Sequence, residues 1–177
     1  MPQRIQKIIL SATLCALVFA FTFLFVPAGI GNVNLGDGAL LLAAWILGGP
    51  WAIVSAATGA ALADLASGYA VYAPATFLIK AAMTAVAVLV CRLIGRCRLS
   101  ARLCRFLSAV LAEVVMIFGY LIYEAAVLGY GAGAALNIPF NAVQGGVAVL
   151  LSGVLFEVLS RTGLLSADGH VRLPKGR

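Results

Sequence analysis

Charged residues are scarce in this sequence: Asp, Glu, Lys and Arg make up only 10% of its 177 residues, whereas 63% are hydrophobic. Soluble domains carry about 25% charged residues, because a soluble chain must cover its exterior with polar groups. Intrinsic disorder is excluded as well, since it requires low hydrophobicity and high charge. The composition therefore predicts an integral membrane protein. In that class the net charge of +6 reports membrane topology and not a nucleic-acid partner.

Histidine is almost absent, which excludes several kinds of catalytic and metal site. The one histidine, His170, lies in a polar tail, so no Ser-His-Asp, Cys-His or His-Glu-x-x-His arrangement can form in the apolar part of the chain. None of the four cysteines belongs to a Cys-x-x-Cys pair, which argues against zinc. The phosphate-binding loop of ATPases is missing too. We expect no catalytic residue, no metal and no cofactor, and an intramembrane enzyme would have to work with carboxylates alone.

Six apolar runs can be placed in a membrane. The uncharged stretch from Gly38 to Ala63 fits either one long kinked span or two short helices that fold at Gly48-Gly49-Pro50, a strong turn signal. Two helices are favoured, because only then do eleven of the twelve basic residues lie on one side of the membrane. We predict an all-α membrane domain over 1–177 with six transmembrane helices, cytoplasmic N and C termini and a polar tail, 161–177. The predicted spans are about 8–26, 36–47, 51–66, 74–92, 106–128 and 139–160.

The first span, Ile8 to Val26, could also be a signal peptide. Its apolar core is long and Val26-Pro27-Ala28 is a poor cleavage site, so we expect the span to be retained. Small residues recur in it every four positions, at Ala12, Ala16 and Ala20. This spacing lets another helix backbone approach closely, either inside the protein or on a partner membrane protein.

Lys80 is the one basic residue outside the cytoplasmic set, and a charge inside a bilayer costs about 3 kcal/mol. Asp64, near the outer end of the third span, is its predicted partner. The pair is either a structural link between two spans or a ligand-binding ammonium whose charge Asp64 balances, and the two roles are compatible. Asp37 opens the second span at the outer face, where the helix dipole alone favours a carboxylate.

The fifth span carries polar residues on one face, because Glu113, Tyr120 and Glu124 are spaced 7 and 4 residues apart. Glu124 and its neighbour Tyr123 lie at the outer end of the span, level with the charges described above. Glu113 is deeper, where a partner helix or a loop arginine is expected to contact it.

An amide face begins the sixth span, since Asn137, Asn141 and Gln144 occupy positions i, i+4 and i+7. Such amides either hydrogen-bond between helices or recognise the edge of a heterocycle. Aromatic side chains could stack on that ring or form an interfacial belt: Tyr69, Tyr72, Tyr123, Tyr130 and Trp45. Together these residues predict one pocket open to the outside and roofed by loops 27–34, 67–73 and 129–137. Its predicted lining residues are Asp37, Asp64, Tyr72, Lys80, Tyr123, Glu124, Asn137, Asn141 and Gln144.

Four segments carry a resemblance to a known family. They are Asn34-Leu35-Gly36-Asp37, Leu47-Gly48-Gly49-Pro50, Gly59-Ala60-Ala61-Leu62-Ala63-Asp64 and Gly68-Tyr69-Ala70-Val71-Tyr72-Ala73-Pro74-Ala75-Thr76-Phe77, with Lys80 following. With them the chain resembles, over about residues 8–160, the substrate-binding S components of energy-coupling-factor (ECF) vitamin transporters. The 34–80 block is most similar to the riboflavin-type branch, which includes carriers of hydroxymethylpyrimidine and pyridoxine.

The resemblance implies the substrate-binding component of an ECF-type importer in the cytoplasmic membrane of a prokaryote, which captures a vitamin or vitamin precursor from outside. Its implied partners are a transmembrane coupling protein and two cytoplasmic ATPase subunits, which alone would use ATP. The alanines of the first span resemble the motif by which such proteins dock on the coupling protein. A pyrimidine or pyridine is the expected ligand, with riboflavin and pantothenate as alternatives. A non-transporting assembly or structural subunit is the alternative function, and it leaves the outer polar cluster unexplained.

Overall fold

The computed structural model describes residues 3–28, 31–95, 100–163 and 165. This part of the chain forms six α-helices, as predicted, and one short β-hairpin. The helices are α1 (Gln3–Phe23), α2 (Gly36–Ile46), α3 (Gly49–Ala66), α4 (Ala73–Gly95), α5 (Ala101–Ile122) and α6 (Ile138–Arg161). The strands are β1 (Phe25–Ala28) and β2 (Gly31–Asn34). Of the predicted polar tail, residues 164 and 166–177 lie outside the described part.

Four helical stretches of the described chain are long and apolar enough to cross a membrane: Arg4–Phe23, Ala73–Gly95, Ala101–Val127 and Gly131–Arg161. The second helix, α2, has only 11 residues, about 17 Å at 1.5 Å per residue, and is shorter than the ~30 Å hydrocarbon core. Ten of its residues are buried, and it packs on α1, α3, α4 and α6. Because four neighbouring helices bury it, α2 is the central element of the described bundle.

Glycine determines how α2 and α3 are connected and how α3 packs. Gly48 and Gly49 both have φ of 61°, a left-handed conformation that glycine adopts without steric cost. Pro50 follows in the first turn of α3, where its missing N–H is no loss. Further along α3, a Cβ on Gly59 would lie 2.4 Å from the carbonyl oxygen of Cys15. The α1 and α3 backbones therefore touch, which requires glycine at this position.

The segment 27–34 is expected to be a loop, and here the structure differs. Strands β1 and β2 pair antiparallel, with Phe25 opposite Asn34 and Ala28 opposite Gly31. The hairpin follows α1, which ends at Phe23, three residues before the predicted end of the first span. Val33 alternates with Asn32 and Asn34, the two-residue period of a strand with one polar face. The hairpin lies over one end of the helix bundle.

The two ends of the bundle differ in charge. One end carries the hairpin, the α3–α4 loop and the α5–α6 connection, which contains a π-helical turn, Tyr123–Val127, and a 3-10 helix, Gly131–Asn137. The opposite end carries the α2–α3 turn, the start of α1 and the end of α6. The described basic residues other than Lys80 occur at that opposite end: Arg4, Lys7, Arg92, Arg102, Arg105 and Arg161. Arg96, Arg98, Arg172, Lys175 and Arg177, predicted on the same side, lie outside the described residues.

Candidate functional site

A cavity lies at the hairpin end of the bundle, and every side chain that lines it carries a polar atom. The thirteen lining residues are Thr22, Asn32, Asn34, Asp64, Tyr69, Tyr72, Thr76, Lys80, Tyr120, Glu124, Asn137, Asn141 and Gln144. In a chain that is 63% hydrophobic, such a concentration of polar groups at one place indicates a binding site for a polar ligand.

A chain of hydrogen bonds forms the floor of the cavity. Lys80 Nζ donates to Asp37 Oδ1 at 2.5 Å, and Gln144 Nε2 donates to Asp37 Oδ2 at 2.6 Å. Gln144 Oε1 in turn accepts the backbone N–H of Asn34 at 2.9 Å, which connects α6 to strand β2. Lys80 and Asp37 are 2% and 0% exposed, so each charge is compensated by the other. This series of hydrogen bonds connects the ammonium group to the hairpin through Asp37 and Gln144.

The predicted ion pair between Lys80 and Asp64 is wrong, because Asp37 is the residue that binds Lys80. Asp37 lies in the first turn of the central helix α2, which packs directly on α4. Asp64, at the end of α3, interacts with the hydroxyl of Thr76 and acts on Lys80 through its charge alone. Asp64 lines the cavity, whereas Asp37 lies behind Lys80 and does not.

Glu124 belongs to the π-helical turn, lines the cavity and is only 1% exposed. Its Oε1 accepts a hydrogen bond from Asn137 Nδ2 at 2.7 Å and one from the Tyr72 hydroxyl at 3.5 Å. Burial and the nearby Glu124 charge raise the pKa of Tyr72, so its hydroxyl stays protonated and can donate. Glu124 Oε2 has no partner among the described residues. One carboxylate oxygen is thus fixed and the other is left without a donor.

The rings of Tyr69, Tyr72 and Tyr120 line the cavity, and Tyr123 packs against that of Tyr72. The Tyr72 ring centroid lies 6.3 Å from that of Tyr69, 6.5 Å from that of Tyr120 and 5.7 Å from that of Tyr123. Lys80 Nζ lies 5.4 Å from the Tyr120 centroid. Rings at these distances and tilts present both faces and edges, which suits a ligand that contains an aromatic ring.

Seven of the nine predicted site residues line the cavity: Asp64, Tyr72, Lys80, Glu124, Asn137, Asn141 and Gln144. The other two are Asp37, which supports Lys80, and Tyr123, whose hydroxyl donates to the carbonyl of Val71 and connects the π-helical turn to the α3–α4 loop. Trp45 is not at the cavity, because its indole N–H donates to Ser108 at 3.0 Å and its ring packs on Phe156.

Six lining residues are not among the nine predicted ones, although Tyr69 is a candidate stacking ring, Tyr120 lies on the predicted polar face of the fifth span, and Asn32 and Asn34 belong to a predicted roof loop. The six are Thr22, Asn32, Asn34, Tyr69, Thr76 and Tyr120. Thr76 lies one helical turn before Lys80, a spacing that could have revealed it. Asn32 and Asn34 share the face of a strand whose two-residue period is visible in the sequence. Thr22 lies within the uncharged first span, and no sequence pattern distinguishes it there.

Two further predicted features lie away from the cavity. Glu113 is buried against α6, where a Cβ on Gly145 would lie 3.0 Å from the Glu113 Cβ. This is the contact with a partner helix considered above, yet neither carboxylate oxygen of Glu113 has a hydrogen-bond partner in the described chain. On α1, all three alanines of the small-residue face, Ala12, Ala16 and Ala20, are exposed.

Three comparisons with known proteins give a family, a relative and a similar fold. A family model described as "ECF-type riboflavin transporter, S component" matches residues 3–161. The chain is 29% identical over 168 residues to a protein named "Thiamine precursor transporter HmpT" from Lactococcus lactis subsp. cremoris (strain MG1363), with 93% of each chain covered. Its fold is similar to a solved structure described as "Structure and mechanism of the S component of a bacterial ECF transporter". The TM-score is 0.73 at 20% identity, over 90% of this chain and 98% of that chain.

Proposed function

We propose that this chain, which belongs to the family of ECF-type riboflavin transporter S components, captures a thiamine precursor whose ring is a pyrimidine. It is a multi-pass cell-membrane protein and the substrate-binding component of an ECF importer. The observation that carries the proposed ligand is a cavity whose lining side chains all carry polar atoms, with an ammonium, carboxylates, amides and tyrosine rings among them. The similarity to a thiamine precursor transporter supports the same choice.

Riboflavin, the ligand in the name of the family model, fits this cavity less well. The dimethylbenzene edge of a flavin is apolar and gains most from contact with apolar side chains. No aliphatic side chain is among the described residues that line the cavity. A small heterocycle with several hydrogen-bonding groups matches the lining better, since each buried polar group then finds a partner.

The orientation and the partners belong to the same proposal. The basic end of the bundle faces the cytoplasm, following the positive-inside rule, and the cavity faces outward. The exposed Ala12, Ala16 and Ala20 face of α1 docks on a transmembrane coupling protein, because small residues permit close helix contact. Two cytoplasmic ATPase subunits supply the energy. The chain itself is no enzyme and needs no cofactor, and ATP is used by the partner subunits alone.

A thermal-shift panel tests the proposed ligand. The chain is purified in detergent and heated with 4-amino-5-hydroxymethyl-2-methylpyrimidine, pyridoxine, riboflavin, thiamine or pantothenate. We expect the pyrimidine to raise the unfolding temperature most, since a ligand at 1,000 times its Kd stabilises the folded state by about 4 kcal/mol. A shift with riboflavin alone would contradict the proposed ligand. No shift with any compound would favour a structural subunit that does not transport.

A further inference from the structure

Two side chains that line the cavity each carry a buried polar atom without a hydrogen-bond partner among the described residues: Glu124 Oε2 and Thr22 Oγ1. Glu124 and Thr22 are far apart in the sequence, and both side chains line the cavity. Glu124 is only 1% exposed and Thr22 only 6%. A buried acceptor without a donor lowers stability, because it has lost its hydrogen bonds to water. A polar atom of this kind in a binding cavity indicates which group the ligand must supply.

Glu124 is the more informative of the two, because an ionised carboxylate can only accept hydrogen bonds. Its Oε1 is held by Asn137 at 2.7 Å and faces the Tyr72 hydroxyl at 3.5 Å. These contacts fix the orientation of the carboxylate and leave Oε2 without a donor. A threonine hydroxyl both donates and accepts, so Thr22 discriminates less between ligand groups.

We propose that Glu124 is the specificity-determining residue of the cavity and selects a ring that carries an exocyclic amine, whose N–H donates to Oε2. This inference rests on the proposed function for the identity of the ring. Lys80 also lines the cavity, and the N–H groups that it does not donate to Asp37 can donate to acceptors of the same ligand. The ligand is thus read by an acceptor-only group in the π-helical turn and a donor-only group on α4.

The test compares two ligands of nearly equal size. One is 4-amino-5-hydroxymethyl-2-methylpyrimidine, and the other has a methyl group in place of the amine. Isothermal titration calorimetry measures the Kd of each ligand for the wild-type protein, for Glu124→Gln and for Glu157→Gln. Glu157 is a matched control, because it lies on α6 beside Arg102 and Arg161 at the opposite end of the bundle.

We expect the wild-type protein and Glu157→Gln to bind the amine roughly 10–100 times more tightly than the methyl analogue, as for a hydrogen bond to a charged group. In Glu124→Gln the ratio should fall to about threefold or less, because the carboxamide keeps the bond from Asn137 but turns an N–H donor towards the amine. The unfolding temperature without ligand shows whether the variant is folded.

The outcomes separate this inference from the proposed function. If the wild-type protein binds the amine tightly but Glu124→Gln keeps the full preference for it, the assignment to Glu124 is overturned and the proposed function stands. Equal affinity of the wild-type protein for both pyrimidines also overturns the assignment, and this result does not depend on the folding of any variant. If the wild-type protein binds neither pyrimidine, the proposed function itself fails.

Discussion

Lys80 on α4 and Asp37 on α2 form an ion pair of 2.5 Å, and their side chains are only 3% and 0% exposed. Breaking a buried pair by removing one partner leaves the other charge uncompensated, which costs about 3–5 kcal/mol. The pair also holds the ammonium at the cavity floor, while Gln144 fixes the second oxygen of Asp37. It therefore serves both the packing of the central helix and the positioning of a ligand-facing group.

Asp37→Asn should lower the unfolding free energy by roughly 3 kcal/mol or more, because Lys80 keeps its charge without a counterion. Thermal unfolding in detergent without ligand measures the change. The double variant Asp37→Leu with Lys80→Met should regain most of the stability, since both charges are then removed. It should not regain ligand binding. An Asp37→Asn variant as stable as the wild-type protein would show that the pair is not needed for folding.

Glu113→Gln should leave stability unchanged within about 1 kcal/mol, or raise it, because neither oxygen of Glu113 accepts a hydrogen bond within the described chain. The substitution keeps the size of the side chain next to Gly145. Thermal unfolding in detergent without ligand measures the change in stability. A loss of stability as large as that of Asp37→Asn would mean that Glu113 makes a stabilising electrostatic contact.

Gly59→Ala should destabilise the bundle by about 1–3 kcal/mol, because the new Cβ would lie 2.4 Å from the Cys15 carbonyl oxygen and force α1 away from α3. Gly146→Ala on α6 is the matched control, since its Cβ would meet no atom within 4 Å. We expect no loss of stability from it, because alanine favours a helix over glycine. Equal effects of the two variants would refute the close contact of α1 with α3.

Ala16→Leu should abolish uptake in cells that express the whole transporter while the purified chain keeps its affinity for ligand. The larger side chain would prevent close approach of a partner helix to the exposed face of α1. Ala82→Leu, at an exposed position of α4, controls for bulk on a lipid-facing surface. Normal uptake by Ala16→Leu would remove this face from the docking surface.

Features set by local sequence could be predicted, whereas those set by packing could not. The Gly48-Gly49-Pro50 turn is local, and the face shared by Asn141 and Gln144 follows from helical periodicity. The ion-pair partner of Lys80 could not be predicted in this way, because Asp37 and Asp64 both lie at the same end of the bundle. Lys80 pairs with Asp37 because α2 is the central helix, and no local pattern of residues encodes the central position of α2.

The central claim is that the polar cavity beside Lys80 is the ligand site of this chain. Its most direct test is a calorimetric titration of the purified chain, without partner subunits, with 4-amino-5-hydroxymethyl-2-methylpyrimidine. It is repeated on Asn141→Leu, a substitution of similar size in the cavity wall. We predict one bound ligand per chain, and an affinity at least ~10 times weaker in a folded Asn141→Leu protein. Unchanged affinity of that variant, or no binding by the wild-type chain, would contradict the account.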